Sequence, residues 1–248
     1  MTAPRNDGGD SPPREHVTIW ERLDRPARGP KPTLTHDRIA ASAIEIADEH
    51  GFDAVSMRRL ADRLGVAAMA LYRYVSSKND VFELMIDAAH AEITLPPESG
   101  WRTLARSYAE QMRAVGLRHP WLIESLARTP NALTPSIVSI VEQALISVDG
   151  LGLDIDSMMA VFGTVTAFVR GATGGEVAQR AVMRNQGWTS EQDARLAYLP
   201  YVRWLMETGR YPTLTRYIVG GSNKDDAQWH FEFGLECVLD GIAARLGI

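Results

Sequence analysis

Between residues 35 and 90, apolar positions recur at helical spacing in short blocks separated by glycine or by serine caps. Ile39, Ala43, Ile46 and Ala47 mark one face of a helix predicted from about Thr35 to His50. Thr35 can cap it, Asp37 suits its positive end, and Gly51 ends it. Ser56 caps a second helix that carries Leu60 and Leu64 inward, and Gly65 makes a turn. A third helix covers about Ala67 to Tyr74. Ser77 caps a fourth, with Asp80 at the capping-box position, which runs to about Leu95 before Pro96 and Pro97. Leu60, Ala61, Leu64, Val66 and Leu71 would form the small core that fixes the crossing of the second and third helices. Two helices of about two turns joined by a sharp turn have the geometry of a helix-turn-helix, whose second helix enters the DNA major groove.

The rest of the chain also reads as helix, over about 101–117, 121–128, 134–149, 154–183, 191–208 and 226–246. Breakers fall between these spans: His119-Pro120, Thr129-Pro130-Asn131, Gly150 to Gly152, Asn185 to Gly187 and Gly220 to Asn223. No internal repeat and no alternation long enough for a sheet is found, so the expected fold is all-α. The last span carries a wide apolar stripe of Phe231, Leu235, Val238, Leu239, Ile242 and Leu246. The long 154–183 span carries a ridge of small residues, Gly163, Ala167 and Gly171, at spacing four. At the other end, residues 1–16 are rich in Pro, Gly, Asp and Ser and are expected to be disordered. Val17, Ile19, Trp20 and Leu23 make a short apolar patch fit to dock on the body, and Arg25 to Pro32 read as an extended basic arm.

Composition narrows the function classes. The 248 residues suffice for one small and one medium domain. No apolar run reaches membrane-spanning length, and the first residues lack the apolar core of a secretory signal. Cys237, the single cysteine, rules out an internal disulfide, fits a reducing cytoplasm, and reads as a small buried apolar side chain. The net charge is −5, yet residues 25–78 hold nine Lys/Arg against six Asp/Glu. A basic head on an acidic body fits a protein that meets phosphates with one end. The histidines are scattered, no Cys/His cluster has metal spacing, and neither a nucleophile elbow nor a phosphate-binding glycine loop occurs. The sequence therefore predicts a non-enzyme without metal or cofactor.

The run Gly65-Val66-Ala-Ala-Met-Ala-Leu71-Tyr72-Arg73-Tyr74-Val75-Ser-Ser-Lys78, preceded by Met57-Arg58-Arg59-Leu60-Ala61, resembles the signature of the TetR family of bacterial transcriptional regulators. The stretch Phe231 to Ile242 resembles the last helix of the tetracycline-repressor branch. The resemblance implies a disordered tail and arm over 1–32, a helix-turn-helix head over 33–78 and a helical ligand-binding and dimerisation bundle over 79–248. It implies phosphate contacts from Thr35, Tyr72 and Lys78, a base contact from Arg58, and further groove or backbone contacts from Ala68, Met69, Arg73 and Tyr74. Arg25, Arg28 and Lys31 would enter a neighbouring minor groove. Lys78 has an independent argument: a cation in the first turn of a helix is disfavoured unless a phosphate sits there with it. Arg59 and Arg63 are as readily surface charges as phosphate contacts.

One departure from the family pattern is chemical. Ala67, Ala68, Met69 and Ala70 fill the start of the reading helix and can touch only thymine methyls or let the backbone approach closely. Direct readout is therefore expected from few residues, mainly Arg58 and Arg73. In the body, the resemblance implies a homodimer built on Gly163, Ala167, Gly171, Phe231, Leu235, Val238 and Ile242. It also implies a pocket for a small-molecule effector, with His119, Trp121, Met159, Phe162, Thr166, Arg170 and Trp204 as candidate linings. Repression relieved by that effector is the expected function. Activation of transcription, a helical enzyme and an adaptor without DNA binding remain as alternatives.

Overall fold

The computed structural model describes residues 18–24, 34–128 and 132–248. Arg25, Arg28 and Lys31 lie outside the described residues. The described chain is helical, in this order: α1 (Ile19–Leu23), α2 (His36–His50), a 3-10 turn (Phe52–Ala54), α3 (Met57–Leu64), α4 (Ala68–Leu71), α5 (Lys78–His90), α6 (Trp101–Arg118), α7 (Pro120–Arg128), α8 (Pro135–Val148), α9 (Ile155–Gln186), α10 (Glu191–Glu207), α11 (Pro212–Gly220) and α12 (Ala227–Leu246).

The head forms as its caps dictate. The Thr35 hydroxyl accepts from the Arg38 N–H at 3.2 Å to start α2, and Ser56 accepts from the Arg59 N–H at 3.3 Å to start α3. Gly65 turns the chain at φ 68°, ψ 31°, a left-handed conformation that a side chain would strain. Its N–H and that of Val66 return to Asp62 and Ala61, closing the end of α3. The reading helix α4 is shorter than the pattern predicts, Ala68–Leu71 rather than 67–74. Ala67 offers no side-chain cap, and Arg73 and Tyr74 close onto Ala70 and Leu71 by tighter i→i+3 bonds.

α5 is the strut of the molecule. It lies along α2 and also touches α6 and α8. Ser77 caps its start, accepting from the Asp80 N–H at 3.3 Å. The Asp80 carboxylate, in a departure from the expected capping box, reaches the Ser76 N–H at 2.6 Å and pairs with Arg22 of α1. That pair and the buried Ile19 seat α1 against the head, while Leu23 stays exposed and Val17 lies outside the described residues.

The body is organised by α9, whose 32 residues span about 48 Å. Met158, Val161, Val165, Val169, Thr173 and Val177 bury one face of it against α6, α7, α8 and α12. α12 turns Phe231, Leu235, Leu239 and Ile242 into the same core. Gly234 is required there, because a Cβ would sit 2.7 Å from the Phe168 ring. Among the described residues, α10 and α11 make no extended contact with another helix, and Leu196, Tyr198, Tyr201, Trp204, Tyr217 and Val219 are exposed on them. α11 was not foreseen in the pattern. Its nine residues start at Pro212 and are dense in β-branched side chains, which weakens the helical signal.

Candidate nucleic-acid interface and interior cavity

The surface of the head separates two kinds of cation. Arg63 bonds Glu45 at 3.2 Å and also pairs with Glu49, and Arg59 donates to the Ala54 carbonyl at 3.5 Å. These two are tied to the head itself. Arg58, Arg73 and Lys78 are exposed, and among the described residues none of them has a carboxylate partner. The Lys78 ammonium lies 4.9 Å from the centroid of the Phe82 ring, at the first residue of α5. Met69 is 76% exposed and Tyr72 46% exposed, beside exposed Ala68. Thr35 is exposed at the start of α2, and its hydroxyl proton stays available after capping. Tyr74 is different: it is half-buried, its ring meets that of His36 edge-on, and its carbonyl lies 3.1 Å from His36 Nε2. It braces the start of α2 against the end of α4.

His119 and Trp121 are held in a polar clasp between body and head. His119 is buried between two carboxylates, with Nδ1 2.8 Å from Asp48 Oδ1 and Nε2 3.1 Å from Glu92. The indole N–H of buried Trp121 donates to the same Asp48 oxygen at 2.8 Å. Asp48 belongs to α2 and Glu92 follows α5, so the junction of α6 and α7 is clasped to the head. The sequence offers no local motif for this clasp, since Asp48 lies more than 70 residues from both His119 and Trp121.

An interior cavity of about 20 Å³, room for about one water, lies among α6, α8 and α9. Trp101, Tyr108, Ile140, Met158, Phe162 and Val165 are among its walls. Of the expected pocket residues, Phe162 lines it. Thr166 and Arg170 follow on the same face of α9, and the Thr166 hydroxyl lies 3.4 Å from the Tyr108 hydroxyl. Met159 and Trp204 are exposed and stand outside it. Tyr108 and His90 join this polar group and were missed in the sequence, where both read as ordinary helix positions. Burial pushes the Tyr108 hydroxyl up and the His90 imidazole down from their ordinary values, and the Arg170 guanidinium lowers both.

The expected dimer residues divide. Gly163, Ala167 and Gly171 are exposed, and a Cβ on either glycine would meet nothing within 4 Å. Phe231, Leu235 and Ile242 instead lie inside the protomer core, and Val238 is half-buried. The reason is packing: Phe231 contacts the Phe168 ring at 5.6 Å, and Arg113 covers its face at 4.8 Å. α12 leaves Trp229, Phe233, Cys237 and Gly241 exposed on its other side. Cys237 is thus a surface thiol rather than a core one, and it borders an open groove of about 380 Å³ between α9 and α12.

Among the described residues, no helix is long and apolar enough to cross a membrane, and no group of three or more His, Cys, Asp or Glu side chains is placed to hold a metal. Residues 39–85 match the family described as "Bacterial regulatory proteins, tetR family", and residues 94–246 match "Tetracyclin repressor-like, C-terminal domain". The chain is 34% identical to the HTH-type transcriptional repressor DrrR1 of Streptomyces coeruleorubidus, over 90% of this chain and 83% of that protein. It is 33% identical to an HTH-type transcriptional regulator of Saccharopolyspora erythraea, over 93% of each. The fold matches the Streptomyces coelicolor TetR family protein ActR in complex with actinorhodin, with a TM-score of 0.72 and 26% identity over 86% of this chain and 97% of that one. With a helix-turn-helix head whose open cations flank a one-turn reading helix, and a helical body matched along nearly its whole length, the chain belongs to the TetR family of bacterial transcriptional regulators.

Proposed function

We propose that this chain is a ligand-responsive transcriptional repressor that binds a palindromic operator as a homodimer in the cytoplasm. Residues 33–78 form the DNA-binding head and 79–248 the effector and dimerisation body. The observation that carries this reading is the contrast in the head between tied and open cations: Arg58, Arg73 and Lys78 have no carboxylate partner among the described residues, whereas Arg59 and Arg63 are engaged. Open cations flanking a helix-turn-helix suit phosphate and guanine edges. Thr35 and Tyr72 add phosphate contacts, while Ala68 and Met69 press on bases. Tyr74 holds the reader in place and makes no base contact.

The exposed ridge of Gly163, Ala167 and Gly171, together with the outer side of α12, supports a two-fold seam of four helices. Effector binding between α6, α8 and α9 would act on the head through α5, which packs against α2, α6 and α8. The relatives named as repressors and the ActR complex with actinorhodin support both halves of the reading. No catalytic step is assigned. The test is fluorescence anisotropy of the full chain with labelled DNA from upstream of its own gene, across a salt series. Saturable, site-selective binding with a steep salt dependence is expected, and binding without sequence preference at moderate salt overturns the reading.

A further inference from the structure

We infer that the effector carries an anionic group, a carboxylate or similar acid, and that Arg170 receives it inside the body. The inference rests on the ligand-responsive reading above and names the chemical class of its ligand.

The first observation is how this protein treats its other half-buried arginines. Arg113, on α6, holds Glu176 through two nitrogens at 2.9 and 3.1 Å and covers the Phe231 ring. Arg102 and Arg106 share Glu236, and Arg22 takes Asp80. Arg170 is also half-buried, yet among the described residues no carboxylate or hydrogen-bond acceptor engages it. A guanidinium has five donors and no way to neutralise itself, so partial burial without an anion is unfavourable. Glu176, the acid nearest to it along the same helix, is already committed to Arg113 and Arg180.

The second observation is what surrounds it. Thr166 precedes Arg170 by one turn and meets the Tyr108 hydroxyl at 3.4 Å, at the end of the apolar cavity walled by Tyr108 and Phe162. Thr173, three residues further along the same helix, is fully buried, and its hydroxyl has no hydrogen-bond partner. His90 closes the group from α5, its Nδ1 bonded to the Ile86 carbonyl at 2.8 Å. The arrangement is an apolar slot with hydroxyl groups and one cation at its end, the pattern of a site that orients an amphipathic acid. The one carboxylate acting on His90, Asp87, accepts from the Ser136 N–H at 2.7 Å and does not pair with Arg170. The cavity has room for only about one water, so a ligand must part α8 or α9 to enter, which gives it a preference between two states of the body.

The test uses the full-length dimer and a matched pair of probes, 2-naphthylacetate and its neutral amide 2-naphthylacetamide, titrated by calorimetry. The acid should bind about tenfold or more tightly than the amide, the range of one charge-assisted contact. Arg170→Gln should abolish that preference, and Arg170→Lys should keep part of it. Equal binding of acid and amide, no binding of either, or an acid preference that survives Arg170→Gln overturns the proposal. So does an Arg170→Gln chain that sediments as a monomer, because Arg170 would then pair with a carboxylate across the dimer seam. Operator binding by the unliganded protein is followed in parallel. Its loss sinks the repressor reading, whereas intact operator binding with no acid preference sinks only the effector class.

Discussion

Asp48→Ala is the substitution that most directly tests how the head is held to the body. Asp48 accepts from the Trp121 indole N–H at 2.8 Å and from His119 Nδ1 at 2.8 Å. Both donors are buried, at 2% and 6% exposure, so losing the carboxylate strands two donors rather than one. A stranded buried donor costs about 1–3 kcal/mol. The Asp48 side chain is itself 31% exposed, so water can reach part of the vacated space and the lower half of the range applies. The expected loss is about 2–4 kcal/mol for the pair, a fall in urea midpoint on the order of 1 M. Asp48→Asn keeps an acceptor and should lose about half as much. Unfolding in urea at one fixed protomer concentration measures it, since dimerisation makes stability concentration-dependent. Operator affinity should fall as well, because α2 carries Thr35 at its other end. A change below about 0.5 kcal/mol with unaltered m-value would show that the clasp does not hold α2, and the reasoning would fail.

Further substitutions test the remaining elements. Lys78→Ala should weaken binding to all DNA sequences alike and flatten the salt slope by about 0.9, whereas Arg58→Ala should cost about 1–3 kcal/mol at one base pair per half-site; anisotropy with single-base operator variants separates the two, and identical behaviour refutes the assigned roles. Gly163→Leu adds a side chain where nothing lies within 4 Å in the protomer, so sedimentation should give a monomer with unchanged helix content, and an intact dimer would place the seam elsewhere. The His90 imidazole, depressed chiefly by burial, takes up its proton more readily when unfolded. Stability should therefore be flat above about pH 6.5 and fall below it, and His90→Gln should flatten the limb below about pH 6.5; an unchanged limb assigns the loss to other groups.

Much of the head was legible because its signals are local. Thr35, Ser56 and Ser77 cap the helices they were expected to cap, and Gly65 turns where only a residue tolerant of positive φ fits cheaply. Sequence spacing placed Arg58, Tyr72, Arg73 and Lys78 on exposed positions. It did not place Tyr74, because an aromatic at the end of a short helix reads the same whether it faces DNA or leans on His36. The body was less legible. The α12 stripe was correctly seen as apolar, but a stripe does not say whether its partner is the same chain or another copy. Phe231, Leu235 and Ile242 face inward because α6 and α9 already lie on that side.

The sequence alone determined an all-α chain, a helix-turn-helix near its start and an uneven charge, since caps, glycine turns and helical periodicity act within a few residues. Only the tertiary structure decided which histidine and tryptophan clasp the head, which face of α12 is core, and that Arg170 stands without a carboxylate among the described residues. Those facts depend on which distant segments meet, and pairings such as Asp48 with Trp121 leave no mark at short range.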